Sequence, residues 1–325
     1  MSLGVAIPFA VSAVLCGCVF LLLWLDRYRL ELLPWLGAVA VWSFGGPALL
    51  LVAGSRLGEL LHPPGAGGPI PELWLTSVLV IAALIFLGVA LPLGLAARMS
   101  ILEGPSNGAV FGVVAGLAFS GGMELLVLER TPWQAAGAAL AFVCLLHAAV
   151  GAVLGAGIGL ARLAVRPALR LPGVLAAAVA ALVVGALLTA GAVSSWTSWG
   201  EVNVACNLAL TAVGAVVLVA VFAVSVSYEA RVLAGQLAEE VTLGVVPPWV
   251  AQIVPSYLRR IRSDWWPRRD ERREILRLVV GLAFRKHRLR TLPEDRARLY
   301  GLEVGRMRHR ARALLVDLEE TAPPT

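Results

Sequence analysis

The chain has 325 residues, of which 59% are apolar and only 15% charged, and its mean hydropathy is +0.82. That composition excludes an ordinary soluble domain and describes an integral membrane protein. The formal net charge of +6 is unevenly placed, because the first 225 residues carry few charges and the remainder carries a dense series of arginines around one lysine, Lys286. Two regions follow: a transmembrane domain over residues 1–225 and a basic helical tail over residues 226–325.

A helix rising about 1.5 Å per residue needs about 20 apolar residues to cross a hydrocarbon core about 30 Å thick. Seven runs of this kind occur, at roughly 5–25, 35–53, 74–97, 108–128, 134–161, 173–194 and 204–225. The first is too long for a signal peptide and lacks a basic flank and a small-residue cleavage site, so a retained helix is expected. With the N-terminus outside, the inner loops hold Arg27, Arg29, Arg98, Arg162, Arg166 and Arg170, whereas the outer loops hold only Arg56 and Arg130. The expected fold is all-α: a polytopic membrane bundle of about seven transmembrane helices in the cell membrane. Its tail is a cytoplasmic amphipathic helical region.

Cys16, Cys18, Cys144 and Cys206 all fall within the apolar runs, where a thiol is an ordinary packing or lipid-facing group. Cys16 and Cys18 are two residues apart, on opposing helix faces, and no disulfide or metal site is expected of the four. Packing is better signalled. Small residues recur at every fourth position in Gly108, Gly112, Gly116 and Ser120, leading to Glu124, and again after His147 in Gly151, Gly155 and Gly159. Rows of this type let helix backbones approach closely, and each step of four residues drifts by about 40° around the helix.

Glu124 and His147 continue these two faces. Counting from Arg162 at the inner end places both near the outer boundary at similar depth. An ionisable residue within a span costs a few kcal/mol and is by default a functional candidate, so Glu124 and His147 are the candidate catalytic pair. Two plainer readings stand beside this one. Glu124 is also read as a hydrated helix end followed by Glu129 and Arg130, and His147 as a neutral imidazole satisfied by one hydrogen bond between helices.

Several stretches carry a likeness to a known family. DRYRLELLPWLGAVAVWSFGGPALL forms a charged and aromatic loop leading into a glycine-containing helix, and LPLGLAARMSILEGPSNGAVFGVVAGLAFSGGMELL gives a helix, a short inner loop and a second helix. LLHAAVGAVLGAGIGLAR places a histidine ahead of a glycine seam, and LAGQLAEEVTLGVVPPWV opens an arginine-rich extension. Together these resemble the PrsW-like intramembrane proteases, distant relatives of the CAAX-processing membrane peptidases, over most of the chain. The resemblance implies EExxK on the third helix, FxxxE on the fourth, a histidine on the fifth and a further polar motif with histidine on the sixth.

The chain departs from those motifs. Ile85, Phe86, Leu87, Gly88 and Val89 stand at the EExxK position, and Phe119 is followed four residues later by Met123, with Glu124 one position late. One residue is a rotation of about 100°, so Glu124 points away from the family direction unless a bulge near Gly121 and Gly122 restores it. His147 alone matches, and the sixth span offers only Thr189. Hydrolysis needs a base or a metal-bound hydroxide, and a metal needs about three protein ligands. The expectation is therefore a catalytically degenerate member, a pseudoprotease that binds membrane-protein helices along its glycine seams. The alternative is an active intramembrane peptidase using a rearranged Glu124 and His147 pair. No cofactor is assigned, and metal binding is left open.

In the tail, Leu233, Leu237 and Val241 recur every four residues before Gly244, Pro247 and Pro248 end the helix. Further amphipathic helices are expected at 248–262, 270–290 and 294–320, the last with a stripe of Leu299, Leu302, Met307, Ala311, Leu314 and Leu318. WWPRRDERR, Trp265 to Arg273, pairs aromatics with arginines in the manner of a segment at anionic headgroups. Nucleic acid is not expected as a partner, because Asp270, Glu271, Glu274, Glu294, Asp295, Glu303 and Asp317 are interspersed with the arginines and no reader motif appears.

Overall fold

A computed structural model describes residues 33–46, 79–99, 101–102, 104–128, 133–163, 175, 178–181, 183–185, 200–256, 259–260, 269–290, 292 and 294–321. All regular structure among these residues is helical. The elements are α1 (Leu33–Gly46), α2 (Leu79–Arg98), α3 (Pro105–Leu128), α4 (Trp133–Leu163), α5 (Gly200–Thr242), α6 (Pro248–Ile253), α7 (Arg269–Leu289) and α8 (Glu294–Thr321). Four stretches are long and apolar enough to cross a membrane: Leu79–Arg98, Pro105–Met123, Cys144–Leu163 and Ala209–Thr242. They fall on the third, fourth, fifth and seventh apolar runs. The first run, with Cys16 and Cys18, lies outside the described residues, as do most of the sixth run and Trp265 to Arg268 of the aromatic and arginine segment.

The antiparallel pair α3 and α4 is the centre of the membrane part. α3 is apolar all round because it is covered on several sides, which removes the amphipathic stripe of a surface helix. On one side Phe111, Ala115 and Phe119 pack with Leu36 and Val39 of α1, Ile85, Val89 and Leu93 of α2, and Val150 and Leu154 of α4. On another, Val113 and Leu117 pack with Cys144, Ala148 and Ala152 of α4, and Leu218, Val221 and Phe222 of α5 lie against this second cluster.

α5 is one helix of 43 residues, about 64 Å long, and so is twice the hydrocarbon thickness. The apolar run at 204–225 and the amphipathic stretch at 227–243 are therefore continuous, since no proline interrupts the ladder between them. Its charged residues Glu229, Arg231, Glu239 and Glu240 all lie in the half that follows the apolar run at 204–225. The helix stops at Gly244, whose φ of 64° requires a residue without a Cβ. Here Gly244 N–H bonds the Val241 carbonyl at 3.0 Å and Val245 N–H bonds the Glu240 carbonyl at 3.0 Å, the paired bonds of a Schellman motif.

Beyond this cap the chain turns back through α6, and α7 and α8 complete a second core. Leu233 and Leu237 of α5, Val250 of α6, Ile275, Val279 and Ala283 of α7, and Ala311 and Leu315 of α8 form it. One expected stripe is corrected: Leu299 is 72% and Leu302 is 65% exposed. The inward face of α8 instead runs through Val304, Arg308, Ala311 and Leu315, because Arg308 is drawn in to an ion pair with Glu240.

Candidate functional site

The glycine rows of α3 and α4 face each other. A Cβ built on Gly108 would fall inside the Gly155 carbonyl, one on Gly112 inside the Gly151 carbonyl, and one on Gly116 inside the His147 carbonyl. Gly159 meets the Gly104 carbonyl in the same register. These are backbone obstacles that no rotamer relieves, so the absent side chains are what permits the close approach. The seams of α3 and α4 are therefore packed against each other within this chain.

His147 lies on the same interface, 3% exposed, with its ring edge-on to Phe119 at a centroid distance of 5.0 Å. The register sets its backbone level with Gly116. Glu124 lies eight residues further along α3, about 12 Å up the axis, so the expected equality of depth is corrected. The Glu124 side chain is outside the described residues, and α3 passes through Gly121 and Gly122 as regular α-helix. Gly122 is held against the Phe44 carbonyl of α1.

The irregularity lies instead in α2. Residues Phe86–Ala90 form a π-helical turn in which Leu91 N–H bonds the Phe86 carbonyl, and the Leu87 carbonyl accepts a hydrogen bond of 3.0 Å from Trp42 Nε1 of α1. A π turn displaces the regular ladder, and the indole satisfies a carbonyl there. This turn coincides with the positions where the resemblance implies EExxK. Ile85 and Val89 are each 1% exposed and enter the core beside Phe119. Gly185 closes in from a further segment, where a Cβ would approach Val150 Cγ2 to 2.9 Å. Among the described residues, no group of three or more His, Cys, Asp or Glu could hold a metal ion.

Polar chemistry is concentrated at the ends of the helices. Glu229 of α5 accepts hydrogen bonds from the Ser106 backbone N–H, at 2.9 Å, and from Ser106 Oγ. A carboxylate from a neighbouring helix thus caps the N-terminus of α3, where free N–H groups and the helix dipole favour negative charge. Asn107 Nδ2 donates to the Ile101 carbonyl and Arg162 Nη1 to the Leu102 carbonyl, which satisfies the α2–α3 turn. Replacing Glu229 by alanine is expected to destabilise the α3 terminus by about 1–2 kcal/mol, read as faster hydrogen exchange at Ser106 and Asn107. Glu229→Gln should retain most of the protection.

A second polar group ties α5 to α7 and α8. Glu240 is fully buried; Arg308 Nε and Nη2 donate to its two oxygens at 2.9 and 2.7 Å, and Lys286 Nζ donates to Oε1 at 2.7 Å. Lys286 also pairs with Glu239 at 2.9 Å and donates to the Gln236 carbonyl at 3.3 Å. Three ammonium donors meet three converging acceptors, a task for which the planar guanidinium fork is poorly shaped. Burial pushes the Glu240 carboxyl up, but hydrogen bonds and charge from Arg308 and Lys286 outweigh it and hold the group below the ordinary carboxylate range. The adjacent pair Glu239 and Glu240 and the sole lysine at 286 were the only sequence signs of this network. Glu229 had none, because its partner is 123 residues away.

Comparison of the chain with known protein families, curated proteins and solved structures returns no match.

Proposed function

We propose that this chain is a multi-pass cell-membrane protein of PrsW-like architecture without proteolytic activity, which recognises a transmembrane helix of a client protein. In this reading about seven helices cross the bilayer, the N-terminus is outside and the basic tail is cytoplasmic beside anionic headgroups. The observation that carries it is the packing around His147. Phe119 lies against the imidazole and Ile85 and Val89 fill the adjoining core, whereas hydrolysis needs water and convergent acid, base or metal-ligating groups at that place.

The client surface that fits best is α5. Only 11% of its apolar window is buried, the least of the four spans. Ala212, Val216, Val219 and Ala223 recur three and four residues apart on its exposed side. Small and β-branched side chains of this kind suit close helix packing in lipid, where dispersion and shape drive association.

The test combines a cleavage assay, metal analysis and crosslinking on purified full-length protein with co-expressed membrane substrates. Intact substrate, no bound metal and a client crosslinked from residue 216 but not from a Val216→Trp variant probed at residue 212 are the expected results. Cleavage abolished by both Glu124→Gln and His147→Ala would replace this reading with an active intramembrane peptidase using that pair.

A further inference from the structure

We propose that a groove between α4 and α5 binds one acyl chain of an anionic phospholipid, with Arg231 holding its phosphate. The groove has a volume of about 320 Å³. Val153, Ala156 and Leu160 of α4 form one wall, and Val221, Val224 and Tyr228 of α5 form the other. Pro105, at the start of α3, and Ser225 also line it. The lining is apolar apart from two hydroxyl-bearing residues, and both walls belong to stretches long and apolar enough to cross a membrane. Water is a poor occupant of such a surface, because it finds too few polar partners.

An extended hydrocarbon chain is thin enough to lie along the groove between the two helices.

Charge then selects the lipid. Arg231 follows Tyr228 by three residues, so it stands on the same face of α5 about one turn beyond the groove, just past the apolar run at 204–225. Its Nε donates to the Ser227 carbonyl at 3.3 Å, which turns the guanidinium back along the helix. No carboxylate among the described residues pairs with it, since the nearby Glu229 is directed to Ser106. The remaining donors of an exposed guanidinium match phosphate oxygens, and the long side chain keeps its charge at headgroup level. This inference is independent of the client surface on Ala212 and Val216.

The experiment is native mass spectrometry of the full-length protein in mild detergent, titrated separately with phosphatidylglycerol and phosphatidylcholine. One phosphatidylglycerol molecule should be retained in preference to phosphatidylcholine, whose ammonium group offsets its phosphate, and Arg231→Gln should lower that preference about tenfold. Val224→Trp, at a residue 66% exposed, should remove retention of both lipids without moving the thermal midpoint. Equal retention of the two lipids by the unmodified protein, or undiminished retention by Val224→Trp, would overturn the proposal. So would a photo-crosslinker at residue 224 that captures a protein helix and no lipid.

Discussion

Replacing Glu240 by alanine is expected to destabilise the bundle of α5, α7 and α8 by about 3–5 kcal/mol, because it leaves Lys286 and Arg308 without the carboxylate that both surround. Hydrogen exchange along α7 and α8 would report the loss as an acceleration of at least about a hundredfold, since each 1.4 kcal/mol is a factor of about ten. Unchanged exchange rates would mean that the apolar core of Leu237, Ile275, Val279 and Leu315 alone holds these helices. The same geometry fixes a pH dependence. The Glu240 carboxyl is held below its unfolded value of about 4.3, so its contribution is complete above that value and is lost as pH falls through the lowered one. A Glu240→Gln protein should lack this acid-induced loss. Replacing all three groups together, Glu240→Leu with Lys286→Met and Arg308→Leu, should recover much of the stability, because well-packed apolar side chains substitute for a buried ion pair at little cost.

The second large effect belongs to Gly112. Its Cα faces the Gly151 carbonyl so closely that even a methyl group must push α3 and α4 apart. Gly112→Ala is expected to lose at least about 1–3 kcal/mol, the range for overpacking of an ordinary core, and Gly112→Leu should prevent accumulation of folded protein. Gly94 of α2 is the control, because a Cβ there meets nothing within 4 Å. Gly94→Ala should be neutral or stabilising by up to about 1 kcal/mol through reduced freedom of the unfolded chain. Thermal midpoints in one detergent would compare Gly112→Ala and Gly94→Ala with the unmodified protein. A Gly112→Ala midpoint equal to that of Gly94→Ala would show that the seam relaxes without penalty.

These two sites mark what was legible in the sequence. The four-residue glycine spacing located the α3–α4 contact, because a backbone approach needs small residues at helical period and little else. The helical class and the apolar stretches were equally plain, since 20-residue apolar runs are a long-range average that single residues hardly disturb. Depth along the seam was less accessible. His147 and Glu124 were placed by counting from flanking charges, whereas the actual register comes from which glycine meets which carbonyl. The inward face of α8 was misread for a related reason: hydrophobicity selects Leu299 and Leu302, but the fold turns Arg308 inward to meet Glu240 and leaves both leucines in contact with solvent. The π turn at Phe86–Ala90 has no compositional mark, as its stabilising partner is the indole of Trp42, 45 residues earlier.

The uninterrupted course of α5 has a mechanical consequence. About 18 Å of rigid rod separates Tyr228 from Glu240, so a 10° tilt of the membrane segment displaces the Glu240 end by about 3 Å, and an axial rotation arrives there undiminished. Since α7 and α8 are fastened to that end through Lys286 and Arg308, they are carried with it. A displacement at one end of α5 is thereby carried to α7 and α8 at the other, with no proline in between.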